Sequence, residues 1–203
     1  MKGTGRSAIV LAGGRSLRMG ADKAVLPWDG LTVLESMVAR LARAFQDVVV
    51  VAAPNQELAR LSPTTRVIRD AEPFQGPVKA LYLGLSTIGT DVAFACACDM
   101  PFLDAALAAW LCDVSAGRDA AMPMVAGRLQ VLHAAYRTSC LRVLDAMVQR
   151  GERALHRVGS ALDARLVDED ELRRHDPELL SFFNVNTPQD YARARRIAAA
   201  TRA

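Results

Sequence analysis

The stretch Ala8-Ile9-Val10-Leu11-Ala12-Gly13-Gly14-Arg15-Ser16-Leu17-Arg18-Met19-Gly20-Ala21-Asp22-Lys23 decides the fold. It opens on a short apolar run that reads as a buried strand. Three glycines, two arginines and a lysine then crowd into one loop. Glycines let a backbone approach a ligand closely and turn its N–H groups outward. Cations beside such a loop point to an anionic ligand, a phosphate chain first of all. No Gly-Lys-Ser/Thr closes the loop, so it is not a Walker A motif. No G-x-G-x-x-G is present, so it is not a dinucleotide fingerprint either. It is a phosphate loop of another type.

Working outward, 203 residues suit one domain, residues 1–203, that buries roughly 70% of the surface its unfolded chain exposes. No apolar run reaches the ~18 residues that would span a bilayer. The basic start, Met1 to Arg6, runs straight into the strand and loop rather than into a signal-peptide core. The expectation is a cytoplasmic protein with no membrane partner. A net charge of +3 with arginines scattered along the chain argues against a nucleic-acid surface. Cys96, Cys98, Cys112 and Cys140 form no Cys-x-x-Cys pair. They read as small buried hydrophobes in a reducing compartment.

Apolar runs alternate with helical patterns, the mark of an α/β fold with a mostly parallel sheet. Strands are expected near 7–12, 47–51, 66–69, 92–98, 119–124, 130–136 and 182–183. Thr32-Val33-Leu34-Glu35 reads as a capping box opening a helix. Further helices are expected at 55–61, 77–87, 104–115, from Thr138 to Gly151, and from the Thr187 cap with Pro188 at the first helical position. Residues 152–181 resist reading. Their acidic stretch, Asp168 to Glu171, reads as a solvated helix face.

In open α/β sheets, ligands bind beyond the carboxyl ends of the strands. The glycine loop, Asp70, Asp99, and Asn184 with Asn186 all follow predicted strands. Asp99 closes a long apolar strand, a poor place for a merely solvated carboxylate. Magnesium takes one or two carboxylates together with phosphate oxygens, so Asp99 beside a phosphate loop suits it. The competing reading has Asp99 capping the next turn or the helix that begins near Asp104. Asp70 would meet a base or ribose, or make an Asx turn. Arg18 and Lys23 would stabilise charge on a transferred phosphoryl group. Ser16 has no His–carboxylate partner in the pattern, and His133 reads as a packed histidine rather than a base. His156 and His175 carry no pattern.

Leu11-Ala12-Gly13-Gly14 through Arg18-Met19-Gly20 and Asp22-Lys23 resembles the signature loop of the MobA-type nucleotidyltransferases. Gly76-Pro77, Arg128 to Ala134, Cys98-Asp99-Met100-Pro101 and Phe183-Asn184-Val185-Asn186-Thr187-Pro188 also resemble segments of that family. The likeness spans about residues 8–195. It implies a Rossmann-like three-layer nucleotidyltransferase fold that binds GTP and Mg2+. The phosphate of molybdopterin would attack the α-phosphorus of GTP and release pyrophosphate. Leu11, Ala12, Gly13 and Gly14 would hold nucleotide through backbone groups, with Gly76 in the same set. Lys23 would bind phosphate, Asp70 the nucleoside and Asp99 the metal. Asn184 and Asn186 would lie toward the pterin. By analogy the product passes to an apoenzyme or insertion factor, a transient protein partner.

Departures from the family pattern cluster around nucleotide recognition. Gly76-Pro77-Val78-Lys79-Ala80 stands where Gly-Pro-Leu-Ala-Gly is usual. Lys79 would reach a phosphate or stand exposed in a first helical turn. Val51-Ala52-Ala53 lacks a customary Asn, and Val131 stands for a Pro. A related transferase using CTP or another NTP on a different acceptor is therefore an alternative. A nucleotide-binding protein without turnover is another.

Overall fold

A computed structural model describes residues 3–13, 23–58, 61–70 and 76–201. The apolar run that opens the chain is strand β1 (Gly3–Leu11) at the centre of the main sheet. Its neighbours are β4 (Asp47–Ala52) and β6 (Thr90–Ala97), both parallel to it. Beyond β4 lies β5 (Arg66–Arg69), a parallel edge strand. On the other side stand β9 (His133–Arg137), β7 (Ala120–Val125) and β10 (Ala164–Val167). The order is β10-β7-β9-β6-β1-β4-β5, and β8 (Arg128–Leu129) pairs with β7. Along that path β9 alone runs against the rest, so the sheet is mostly parallel, as expected.

Side chains alternate across a strand, and each face of the sheet carries its own apolar cluster. Ala8, Val10, Phe94 and Cys96 pack under α1 (Val33–Leu41), α3 (Ala105–Val114) and α7 (Pro188–Ala200). Ile9, Leu11, Ala93 and Ala95 pack under α2 (Pro77–Thr87), α4 (Leu141–Gln149) and α5 (His156–Ala161). Helix, sheet and helix make three layers. The four cysteines are buried free thiols.

The helix caps follow the sequence closely. Thr32 and Glu35 form the expected capping box. Thr187 and Asp190 form a second at α7, with Pro188 at its start. Helix α4 ends on Gly151 in the left-handed region. There Gly151 N–H donates to Val148 and Glu152 N–H to Met147, a Schellman closure.

Four expectations fail for identifiable reasons. No described residue of 55–61 is helical. The carbonyls of Ala53, Pro54 and Gln56 accept from the Arg69 guanidinium instead of from helical N–H groups. The strand expected at 182–183 is a 3-10 turn, Leu180–Phe182, closed by local bonds from Phe182 and Phe183 back to Leu179 and Leu180. Thr138 starts a 3-10 turn and makes no side-chain cap for α4. The acidic stretch forms helix α6 (Glu169–Arg173), but it is not simply solvated. Asp168 caps it, Glu169 accepts from Ala126 N–H, and Glu171 pairs with Arg165. Other elements went unforeseen, among them β8, and α5 and β10 in the segment that resisted reading. Pro27–Trp28 (β2) and Leu31–Thr32 (β3) form a hairpin about Asp29-Gly30, both at positive φ. Asp-Gly between extended pairs is the matching signal.

Candidate functional site

Because β1, β4, β5 and β6 are parallel, their carboxyl ends share one edge of the sheet. Asp70, Ala53, Gly13 and Asp99 follow them there in that spatial order. The edge is stitched by backbone bonds. Ala12 and Gly13 N–H donate to Val51 at 2.8 and 3.3 Å, and Asp70 N–H donates to Ala52 at 3.0 Å. Gly13 is exposed, and a Cβ on it would stand 3.2 Å from the Ala53 nitrogen. Leu11, Ala12 and Gly13, expected to hold nucleotide through backbone groups, stand at this edge, with the Ala12 and Gly13 N–H groups engaged to Val51. Gly14 and Arg18 lie outside the described residues, as does the side chain of Lys23; the Lys23 backbone opens a 3-10 turn, Lys23–Val25.

Asp99 sits two residues past β6, in a turn fixed from both sides. Its carbonyl accepts the Val185 N–H at 2.8 Å. That bond brings the Asn184–Asn186 segment beside it, two segments far apart in sequence meeting at one point. Arg40, on α1, donates to the carbonyls of Pro101 at 2.6 Å and Leu103 at 3.1 Å. Burial lowers the pKa of this guanidinium; it still serves as a fixed brace for the turn. Helix α3 is capped by Asp104, which accepts from Ala106 and Leu107 N–H. The helix cap that Asp99 was expected to offer as one alternative is thus supplied by Asp104.

Beneath this turn lies His133, fully buried on β9 opposite Cys96. Its ring is 4.2 Å from Phe182 and 5.0 Å from Phe94. Nδ1 lies 3.4 Å from the Met100 sulfur and Nε2 lies 3.3 Å from the Ser181 hydroxyl. Burial pushes its pKa down to about 3. It is a neutral packing residue, as the sequence suggested.

At the other end of the edge, Asp70 Oδ1 lies 3.3 Å from Lys79 Nζ. Lys79 therefore does not stand alone in the first turn of α2. That helix begins at Gly76, whose φ of 93° only glycine adopts readily. A Cβ there would also lie 2.9 Å from the Arg153 Cβ. Arg153, from the unread segment, is thus a neighbour of the site that no local motif announced. Gln56 is another. Its amide donates to the Ala12 carbonyl at 2.9 Å and accepts from Ala53 N–H at 3.2 Å. An amide does stand beside the end of β4, three residues past Ala53.

Among the described residues no three His, Cys, Asp or Glu side chains cluster as a metal site. Magnesium at a phosphate needs no such cage. It keeps waters and takes one or two carboxylates with phosphate oxygens. A partly exposed Asp99 at a strand end matches that donor set.

The family model of the MobA-like NTP transferase domain matches residues 8–166. The chain belongs to that family. It is 35% identical over 196 residues to a Methanosarcina mazei protein named "Probable molybdenum cofactor guanylyltransferase", covering 91% of this chain and 88% of the relative. It is 31% identical over 190 residues to a "Molybdenum cofactor guanylyltransferase" of Desulfosudis oleivorans, covering 93% of each. The crystal structure of molybdopterin-guanine dinucleotide biosynthesis protein A from Archaeoglobus fulgidus superposes with a TM-score of 0.81 at 26% identity, over 96% of this chain and 99% of that one. The nucleotidyltransferase fold drawn from the loop and strand-end motifs is therefore the fold observed. Among the described residues no helix is long and apolar enough to cross a membrane.

Proposed function

We propose that this MobA-like transferase moves GMP from GTP to the phosphate of molybdopterin. An oxygen of the acceptor phosphate forms a bond to the α-phosphorus of GTP. The bond from that phosphorus to the bridging oxygen breaks, and pyrophosphate leaves. The observation that carries this reading is the bond from Val185 N–H to the Asp99 carbonyl. It sets the Asn184–Asn186 segment and the Asp99 turn side by side, one strand from the glycine loop. A nucleotide and an acceptor need such adjoining places to react in line. The relatives' names and the loop chemistry support the choice of substrates.

In this reading the backbone of Leu11, Ala12, Gly13 and Gly14, with Gly76, cradles the nucleotide. Asp70 meets the nucleoside. Arg18 and Lys23 hold the phosphates against developing charge, the main task of the protein in phosphoryl chemistry. Asp99 would hold Mg2+, whose charge would offset that of the phosphates. Asn184 and Asn186 offer amide donors and acceptors to the pterin. The free thiols suit a reducing cytoplasm, where an acceptor of the product would dock transiently.

Calorimetry with GTP, CTP, ATP and UTP in the presence of Mg2+ tests this. Selective GTP binding is expected. Selective CTP binding would move the assignment to cytidylyl transfer, and no binding of any triphosphate would overturn nucleotidyl transfer.

A further inference from the structure

We propose that Lys79 is a positioning residue for the nucleoside end of the site: its ammonium holds the Asp70 carboxylate in the orientation that meets the nucleoside. This rests on the reading of Asp70 given above. Asp70 follows β5, an edge strand whose Arg66, Val67 and Arg69 are exposed. Among the described residues no strand flanks its outer side. The backbone is tied to Ala52, but a backbone bond does not settle where a carboxylate points. The 3.3 Å approach of Lys79 Nζ to Oδ1 does. Both side chains are largely shielded, at 11% exposure for Asp70 and 25% for Lys79, so the pair is screened less than a surface ion pair.

The place of Lys79 in its helix makes the pairing informative. It is the third residue of α2, after Gly76, Pro77 and Val78. Helix starts favour anions and disfavour cations. This one has no side-chain cap and no acidic residue in its first turn. A lysine there runs against helix preference, and Asp70 offsets the conflict from across the edge. Lys79 acts through Asp70 rather than on the phosphates.

Calorimetry of Mg2+–GTP and of GMP tests this on Lys79→Met, Lys79→Arg, Asp70→Asn and the double variant Asp70→Asn/Lys79→Met. Lys79→Met should weaken GTP and GMP by a similar factor, about five- to tenfold, because the loss lies at the end both share. KM for GTP should rise by a like factor with kcat within about twofold, the mark of lost ground-state binding. Lys79→Arg should restore most of the affinity. In the Asp70→Asn background the lysine change should add little, as expected when one residue works through the other. A much larger loss for GTP than for GMP, or additive losses in the double variant, would overturn the proposal and assign Lys79 to the phosphates. If Asp70→Asn weakens binding while Lys79→Met does not, the proposal fails and the reading of Asp70 stands. If Asp70→Asn changes neither ligand, that reading fails and the proposal goes with it.

Discussion

Two aspartates stand at the ends of two parallel strands, and the sheet treats them differently. Asp99 follows β6, which is flanked by β1 and β9 and buried over most of its length. Its turn is bound by Val185, braced by Arg40 and floored by His133. Asp70 follows β5 at the sheet edge, and its carboxylate meets the Lys79 ammonium. The same residue type at the same kind of position is thus fixed by backbone and core in one case and by an ion pair in the other. For the metal-holding role proposed for Asp99 the stiffer mounting is an advantage. The role proposed for Asp70, recognition of a nucleoside, is compatible with a side-chain mounting.

The largest test of this contrast is Asp99→Ala. Turnover, followed as pyrophosphate release, should fall about a thousandfold, the scale of removing a major electrostatic contact in the transition state. The circular dichroism spectrum and melting temperature should stay near those of the unaltered protein, because the turn is held by backbone bonds. Retained turnover would remove Asp99 from the reaction. Collapse of the fold would show that the mounting depends on the side chain.

The next test uses acid. The unfolded imidazole takes up a proton near pH 6.5, whereas folded His133 resists it until about 3. Between those values the unfolded chain binds more protons, so stability falls as pH falls, by about 1.4 kcal/mol per unit from this residue. Since His133 packs under the Asp99 turn, this end of the edge should loosen first. Urea midpoints measured from pH 7 to pH 4 should drop more steeply for the unaltered protein than for His133→Gln. Parallel slopes would show that His133 is not the source.

Local chemistry made much of this readable in advance. Thr32 with Glu35, and Thr187 with Pro188 and Asp190, announce helices because a cap is satisfied within four residues. Apolar runs announce the parallel strands because both their faces are covered. Asp99 could be picked out because it follows such a run, and Asp70 because it follows the short Val67-Ile68 strand. What escaped depends on partners distant in sequence. The reversal of β9 is settled by its neighbours β6 and β7. Strand β10 exists because it joins β7 from about forty residues away. Arg153 against Gly76, and Gln56 against Ala12, are encounters that no spacing encodes. Lys79 was visible as a departure from the family pattern, but its partner was not, because Asp70 lies across the edge rather than along the helix.

The smallest expected effect probes the edge strand itself. Val67 on β5 is 42% exposed, whereas Phe94 on β6 is fully buried between α1, α3 and β9 residues. Truncating a buried Phe costs about 3–5 kcal/mol, while a surface change away from caps and cores stays within about 0.5 kcal/mol. Val67→Thr keeps the β-branched shape and should leave both the urea midpoint and GTP affinity almost unchanged. A clear loss of affinity with unchanged stability would mean that β5 carries its Asp70 more rigidly than an edge strand should. The two ends of the site would then differ less in mounting than in charge. A null result in both measurements would fit the orientation proposed for Asp70, by the Lys79 side chain rather than by the strand that precedes it.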